Sequence, residues 1–237
     1  MNELLALFRS IPGAISVTEA LALYDVIYNK LSTKEGDTET FVDFGSHAGK
    51  SSLIAITALS DSNRKGKFYM IDPVFNPNNS FKANWDSFKA PTYLGDIKEK
   101  VTQFSINIEP IMIGETSEIA VTTLNQLEIS YAFIDTADHG KEILSVECGY
   151  LKNRMKKGGL IVFHDYENQF TATTDALKNL VDSNLFVHIP IDWEPIIQEV
   201  LIHNLEVDNN SWHMPGHSHP NFIGVVRRKG AEIVTEE

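Results

Sequence analysis

Five short polar segments carry the residue types that chemistry needs, and each follows a short apolar run. Asp43-Phe44-Gly45-Ser46-His47-Ala48-Gly49-Lys50-Ser51 follows Phe41-Val42, Asp72 follows Phe68 to Ile71, and Gly114-Glu115-Thr116 follows Pro110 to Ile113. Asp135-Thr136-Ala137-Asp138-His139 follows Tyr131 to Ile134, and His164-Asp165-Tyr166 follows Leu160 to Phe163. Glycines at 45 and 49 permit a tight turn and close backbone approach to a ligand, with Ser46 and Ser51 beside them. A helix opening at Lys50 would present unpaired N–H donors to a carboxylate or phosphate. This is not a P-loop, which needs four residues before its GK pair; Gly45 and Gly49 enclose three. The dinucleotide pattern G-x-G-x-x-G is also absent.

Asp72 lies 23 residues after Gly49, where a carboxylate can accept hydrogen bonds from two ribose hydroxyls. Capping of a turn through Pro73 would account for it equally well. Glu115 and Thr116 could meet an adenine edge, although Thr116 or Ser117 also suits a helix N-cap. Asp135, His164 and Asp165 end two apolar strands, where ionisable groups are costly unless hydrated, paired or metal-bound. They are the candidate catalytic residues and candidate metal ligands. Carboxylates suit Mg²⁺ or Mn²⁺, and an imidazole shifts the preference toward transition metals. The other reading makes His164 a neutral general base, given a reference pKa of about 6.5. A cation is preferred, because three ionisable groups on adjacent strand ends are easier to explain around one.

These residues need a scaffold of alternating strands and helices. Ser16 and Glu19 have capping-box spacing, and Leu21, Tyr24, Ile27 and Leu31 recur at helical intervals, so a helix is expected from about Val17 to Leu31. Further helices are expected from Lys50 to Leu59, Asp96 to Phe104, Ser117 to Leu127, Lys141 to Met155 and near Thr173 to Asp182. Gly158-Gly159 should turn the chain into the strand at Leu160, and the last strands are expected at Leu185 to Ile189 and Phe222 to Val226. The expected fold is α/β: a Rossmann-like, doubly wound, mainly parallel sheet of about seven strands. It carries an antiparallel edge strand and an N-terminal helical extension over residues 1–35. Residues 190–220 separate the last two strands by more than a hairpin loop and are expected to form a substrate-facing insertion or lid. Within them, His213, His217 and His219 lie in a Pro/Gly-rich stretch without a helical scaffold, which favours a solvated loop over a zinc site.

The 237 residues fit one α/β domain, and 43% of them are hydrophobic, enough for a sizeable core. No apolar run is long enough to span a membrane, and MNELLALFRS lacks a basic leader. A net charge of −12 argues against a nucleic-acid partner and favours a neutral or cationic small acceptor. The single cysteine, Cys148, excludes an internal disulfide and suits a cytoplasmic protein. A homo-oligomer is compatible with all of this.

The order of the segments resembles class I S-adenosylmethionine-dependent methyltransferases, nearest the small-molecule O-methyltransferases and cephalosporin-hydroxylase-like proteins. The likeness covers about residues 40–167 and includes Glu147 at an acidic helix position before Gly158-Gly159. It implies S-adenosylmethionine as cofactor, with Gly45 and Gly49 admitting its methionine part and Asp43 near its amino group. Asp72 would hold the ribose, Glu115 or Thr116 would border the adenine, and Asp135 would lie near the sulfonium. In cation-dependent members, Asp135, His164 and Asp165 would be the metal positions, taking Mg or Mn. Two departures stand out: His139 follows Asp135 by four residues rather than the usual three, and 164/165 is His-Asp rather than two oxygen ligands. The implied reaction is methyl transfer to a small-molecule acceptor, at a hydroxyl oxygen. A cation-dependent hydroxylase-like enzyme and a non-catalytic cofactor-binding protein are the rival readings.

Overall fold

Short runs rich in Phe, Ile, Val and Tyr with apolar side chains on both sides form strands buried on both faces. A computed structural model of the chain describes residues 2–11, 15–33, 38–76, 97–136, 140–166, 171–202 and 223–230. Helices α1 (Asn2–Ser10) and α2 (Val17–Lys30) precede β1 (Glu39–Phe44), α3 (Lys50–Asp61) and β2 (Gly66–Ile71). A 3₁₀ turn at Pro73–Phe75 and helical residues 97–102 lead to β3 (Ile108–Ile113), α4 (Ser117–Thr123) and β4 (Ile129–Ile134). Then come α5 (Lys141–Arg154), β5 (Met155–Phe163), α6 (Thr171–Asp182), β6 (Phe186–His188), α7 (Trp193–Ile202) and β7 (Gly224–Arg228).

The seven strands lie in the order β3-β2-β1-β4-β5-β7-β6. The first five are parallel, and β7 runs antiparallel to both β5 and β6. Antiparallel pairing therefore closes this side of the sheet as expected, with the reversed strand one place in from the edge. Gly158 and Gly159 lie inside β5 rather than before it. The register slips between Ile129 and Tyr131, and Gly158 takes a φ of 79° while its carbonyl accepts from Ser32 N–H at 3.1 Å. The pair forms a bulge that ties the sheet to the end of the N-terminal extension.

Side chains alternate between two cores. Phe41, Phe68, Tyr131, Phe133, Leu160 and Val162 pack with α1, α2, α3 and α7; Val42, Ile71, Ala132, Ile134, Ile161 and Phe163 pack with α4, α5 and α6. Burying each large apolar side chain contributes about 1.5–3 kcal/mol. The buried face of α2 is centred on Ala20, Leu23 and Ile27, with Leu21 and Tyr24 at its margins. Residues 193–202, within the expected insertion, are a helix whose Ile196 and Val200 pack into the core beside α2. Pro195 sits in its first turn, where a missing N–H costs no helical bond. The rest of the expected insertion, with His213, His217 and His219, lies outside the described residues, as do Asp138 and His139. No helix among the described residues is long and apolar enough to cross a membrane.

Candidate functional site

Parallel strands in register finish at one level. Phe44 pairs with Ile71 and Ile134, Ile71 with Ile113, and Ile134 with Phe163. The next residues are Gly45, Asp72, Gly114, Asp135 and His164, so all five segments singled out by residue type begin in one row across the sheet. The ladder continues into that row: the Asp72 N–H donates to Ile113 O, Asp135 N–H to Phe44 O and His164 N–H to Ile134 O. Alternation then assigns sides. Asp43, Phe133 and Val162 share a row facing α2 and α3, and two residues on from Phe133 and Val162 come Asp135 and His164.

Between β1 and α3, Gly45 has φ 82°, and a Cβ there would lie 2.0 Å from the Asp135 carbonyl oxygen. Only glycine lets the two strand ends approach this closely. Ser46 Oγ donates to Asp43 O and accepts the Ile71 N–H, so its hydroxyl stitches β1 to β2. Asp43 is fully buried; Ser51 Oγ donates to its Oδ2 at 2.7 Å, and Ser52 Oγ donates to the same oxygen. Oδ1 makes no hydrogen bond. Burial pushes the Asp43 carboxyl up to about 7 against the pull of both serines, and Asp135 and Asp72 add to the rise. Ser51 thus acts on the site through Asp43. The N-terminus of α3, capped at Gly49, has no side-chain cap, which leaves its first N–H groups available to an anionic group.

Asp72 takes the capping role that its position suggested. Its Oδ1 accepts the Val74 N–H at 2.8 Å, capping the turn at Pro73, and its Oδ2 accepts the His47 N–H at 2.9 Å. Each carboxylate oxygen keeps acceptor capacity for a ligand hydroxyl. Burial raises its pKa. Thr116 occupies the N-cap position of α4, but its side chain makes no capping hydrogen bond; Glu115 and Thr116 are half-buried beside the end of β3.

Asp135, His164 and Asp165 converge. His164 is buried, with Nδ1 3.2 Å from Asp135 Oδ1 and 3.4 Å from Asp165 Oδ2. Successive residues normally point to opposite faces of a strand. Asp165 has φ 56°, and this left-handed turn brings its side chain back beside His164. One ligand atom from each of the three lies within 4.8 Å of the others. Octahedral Mg²⁺ or Mn²⁺ with bonds of roughly 2.1 Å has adjacent ligands about 3 Å apart, so these separations fit a cation site. Among the described residues neither ring nitrogen completes a hydrogen bond of good geometry, which also fits.

A fourth group belongs here. Glu19 Oε1 lies 3.4 Å from His164 Nε2, on the far side of the ring from the aspartates. In sequence Glu19 reads as a helix cap, and it does cap α2: its Oε2 accepts the Ser16 N–H at 2.8 Å. No local pattern reveals the second contact, because it arises from the packing of α2 over β5. Burial alone would lower the His164 pKa, but Asp135, Asp165 and Glu19 outweigh it and raise the value well above 6.5. On the other face of the sheet, Glu147 of α5 is fully buried. Burial pushes it up to about 8, against the nearby Ser117 and Thr136 hydroxyls and with the help of Glu118 and Asp135.

Comparisons with known proteins give the same outline. A family model described as a methyltransferase domain matches residues 42–166. No curated protein matches the chain. Among solved structures, CalS11, a TDP-rhamnose 3'-O-methyltransferase of calicheamicin biosynthesis, superposes with a TM-score of 0.54 at 13% identity, covering 89% of this chain and 79% of that one. An O-methyltransferase from Bacillus cereus in complex with SAH gives 0.51 at 10% identity, covering 79% and 81%. At such identities the likeness is one of fold.

Proposed function

The chain belongs to the methyltransferase-domain family matched over residues 42–166, and on that premise we propose that it transfers a methyl group from S-adenosylmethionine to a hydroxyl oxygen of a small-molecule acceptor, assisted by a divalent cation at Asp135, His164 and Asp165. The observation that carries this reading is the single row of Gly45, Asp72, Gly114, Asp135 and His164 at the carboxyl ends of five parallel strands. Ligands of open α/β sheets bind at that edge.

The methyl donor is a substrate with three chemically distinct parts, and the residues present suit each. The uncapped N-terminus of α3 is complementary to the methionine carboxylate, and the buried Asp43 beneath it to the amino group. Asp72 retains acceptor capacity for the ribose hydroxyls, and Glu115 and Thr116 border the position of the adenine. Asp135 adds negative charge near the sulfonium. The protein's part in an in-line displacement is to hold donor carbon and acceptor oxygen in line and to exclude water. A bound Mg²⁺ or Mn²⁺ would lower the pKa of the acceptor hydroxyl and orient it. Asp135, His164 and Asp165 would hold that ion, and Glu19 would fix the ring of His164. A net charge of −12 supports a neutral or cationic acceptor over a nucleic acid.

The test supplies S-adenosylmethionine carrying an isotopically labelled methyl group, with a panel of hydroxylated small molecules and either Mn²⁺ or a chelator. Labelled product in Mn²⁺, its loss in chelator and its return on adding metal are expected. Turnover that persists in chelator would remove the cation. A chain that S-adenosylmethionine neither binds nor stabilises against heat would remove the methyl donor.

A further inference from the structure

His164 is the pivot of the candidate cation site, and its ring has two sides. Nδ1 faces Asp135 Oδ1 and Asp165 Oδ2, whereas Nε2 faces only Glu19 Oε1 among the carboxylates around it. A neutral imidazole carries one N–H, and the acceptor at one nitrogen decides which lone pair is free at the other. We propose that Glu19 is a positioning residue: it accepts the Nε2–H of His164 and so turns the Nδ1 lone pair toward Asp135 and Asp165, which makes the N-terminal helix α2 part of the cation site. The proposal rests on the reading of Asp135, His164 and Asp165 as cation ligands.

Three observations support it. First, Glu19 is 3% exposed, and among the described residues its Oε1 completes no hydrogen bond of good geometry, its charged neighbour being His164 Nε2 at 3.4 Å. A helix cap needs one carboxylate oxygen and no burial, and an ionisable group is costly to bury unless its second oxygen also has a use. Second, the carboxylate is held rigidly. Its Oε2 accepts the Ser16 N–H at 2.8 Å, and Ser16 Oγ in turn accepts the Glu19 N–H at 3.2 Å. This reciprocal capping box fixes the direction of Oε1, which then lies opposite Nε2. Third, the sheet's alternation puts the His164 side chain on the face that α2 covers. Metal-bound histidines usually donate their other N–H to such a carboxylate, which sets tautomer and ring angle.

Glu19→Gln separates capping from positioning. Glutamine can still accept the Ser16 N–H with its oxygen, but it then presents an amide N–H to Nε2. The imidazole proton is driven to Nδ1, where it blocks the ligand position. Mn²⁺ is titrated calorimetrically into the full chain as wild type, E19Q, Ser16→Ala and Asp165→Asn, and each melting temperature is measured. E19Q is expected to bind Mn²⁺ about 10- to 100-fold more weakly while melting close to wild type. S16A, which breaks one half of the capping box, should lower the melting temperature and leave Mn²⁺ affinity within about twofold, since Oε1 still faces His164. D165N should lose most of the affinity. E19Q binding Mn²⁺ as tightly as wild type would overturn the proposal and leave the cation site standing. S16A weakening Mn²⁺ as much as E19Q would also overturn it, by tracing the effect to fraying of α2. A wild-type chain that binds S-adenosylmethionine but no Mn²⁺ would remove the cation reading and this proposal together.

Discussion

The two ends of the sheet bury acidic side chains in opposite ways. At the amino end, Glu39 opens β1 and is 3% exposed, but Arg64 Nη1 lies 3.4 Å from its Oε1 and Thr33 Oγ1 donates to it at 2.6 Å. Arg64 also donates to the carbonyls of Leu31 and Thr33, which locks the N-terminal extension to the sheet. Charge there is matched within the fold. At the carboxyl end, three carboxylates surround one histidine, and Asp135 and Asp72 add to the cost of ionising the buried Asp43. Negative charge gathered at that edge suits positively charged ligands, such as the proposed sulfonium and divalent cation. One end is matched within the fold, and the other carries the proposed binding site.

The comparison breaks most easily at the amino end. Arg64→Ala leaves Glu39 buried without its cation and should destabilise the chain by about 3–5 kcal/mol in denaturant unfolding. Affinity for S-adenosylmethionine in the fraction that stays folded should not change. A variant of wild-type stability would mean that this end is no more self-compensated than the other.

At the carboxyl end the largest effect is on chemistry. Asp165→Asn should lower single-turnover methylation about 10²- to 10³-fold, the loss of several kcal/mol of charge stabilisation. Its melting temperature should hold or rise, because a like charge has been removed. A fall in stability with unchanged turnover would assign Asp165 to the fold.

Asp72→Ala sharpens the contrast further. On the proposed reading it would remove one or two charge-assisted hydrogen bonds to the ribose, each about 1.5–3 kcal/mol, or roughly 10- to 150-fold in affinity by calorimetry. The lost cap at Val74 should cost stability as well, by about 1 kcal/mol. Unchanged affinity would remove Asp72 from the donor site.

A further effect falls on pH dependence. Glu147 is pushed by burial from 4.5 up to about 8, above its value in the unfolded chain. Between those values the folded state holds a proton that the unfolded state releases. Its contribution to stability is complete below about 4.5 and is lost as pH rises through 8, with a limiting slope of about 1.4 kcal/mol per pH unit. Glu147→Gln should flatten this fall, so that the variant gains on wild type between pH 4.5 and 8. Parallel stability curves for the two proteins would show that Glu147 ionises freely in the fold.

Much of the scaffold was already written in local pattern. Apolar runs marked β1 to β5, the Ser16–Glu19 spacing marked the start of α2, and the residue after each strand marked the functional edge, because in-register parallel strands expose their next residues in one row. Local pattern failed where a rule has two outcomes. Gly158-Gly159 serves a turn or a bulge, and only pairing with β4 makes it a bulge. Pro195 ends a helix or opens one, and only the packing of Ile196 and Val200 makes it open α7.

The sequence by itself determined which chemical groups are present and, through periodicity two, which of them reach the same edge and face of the sheet. Tertiary structure decided what each group does there. It tied Ser51 to Asp43, turned Asp165 back onto His164, and brought Glu19 across from α2 to the far side of the ring. The reason is physical: a side chain's partners, its burial and therefore its proton affinity depend on contacts between segments far apart in the chain, and no local spacing encodes them.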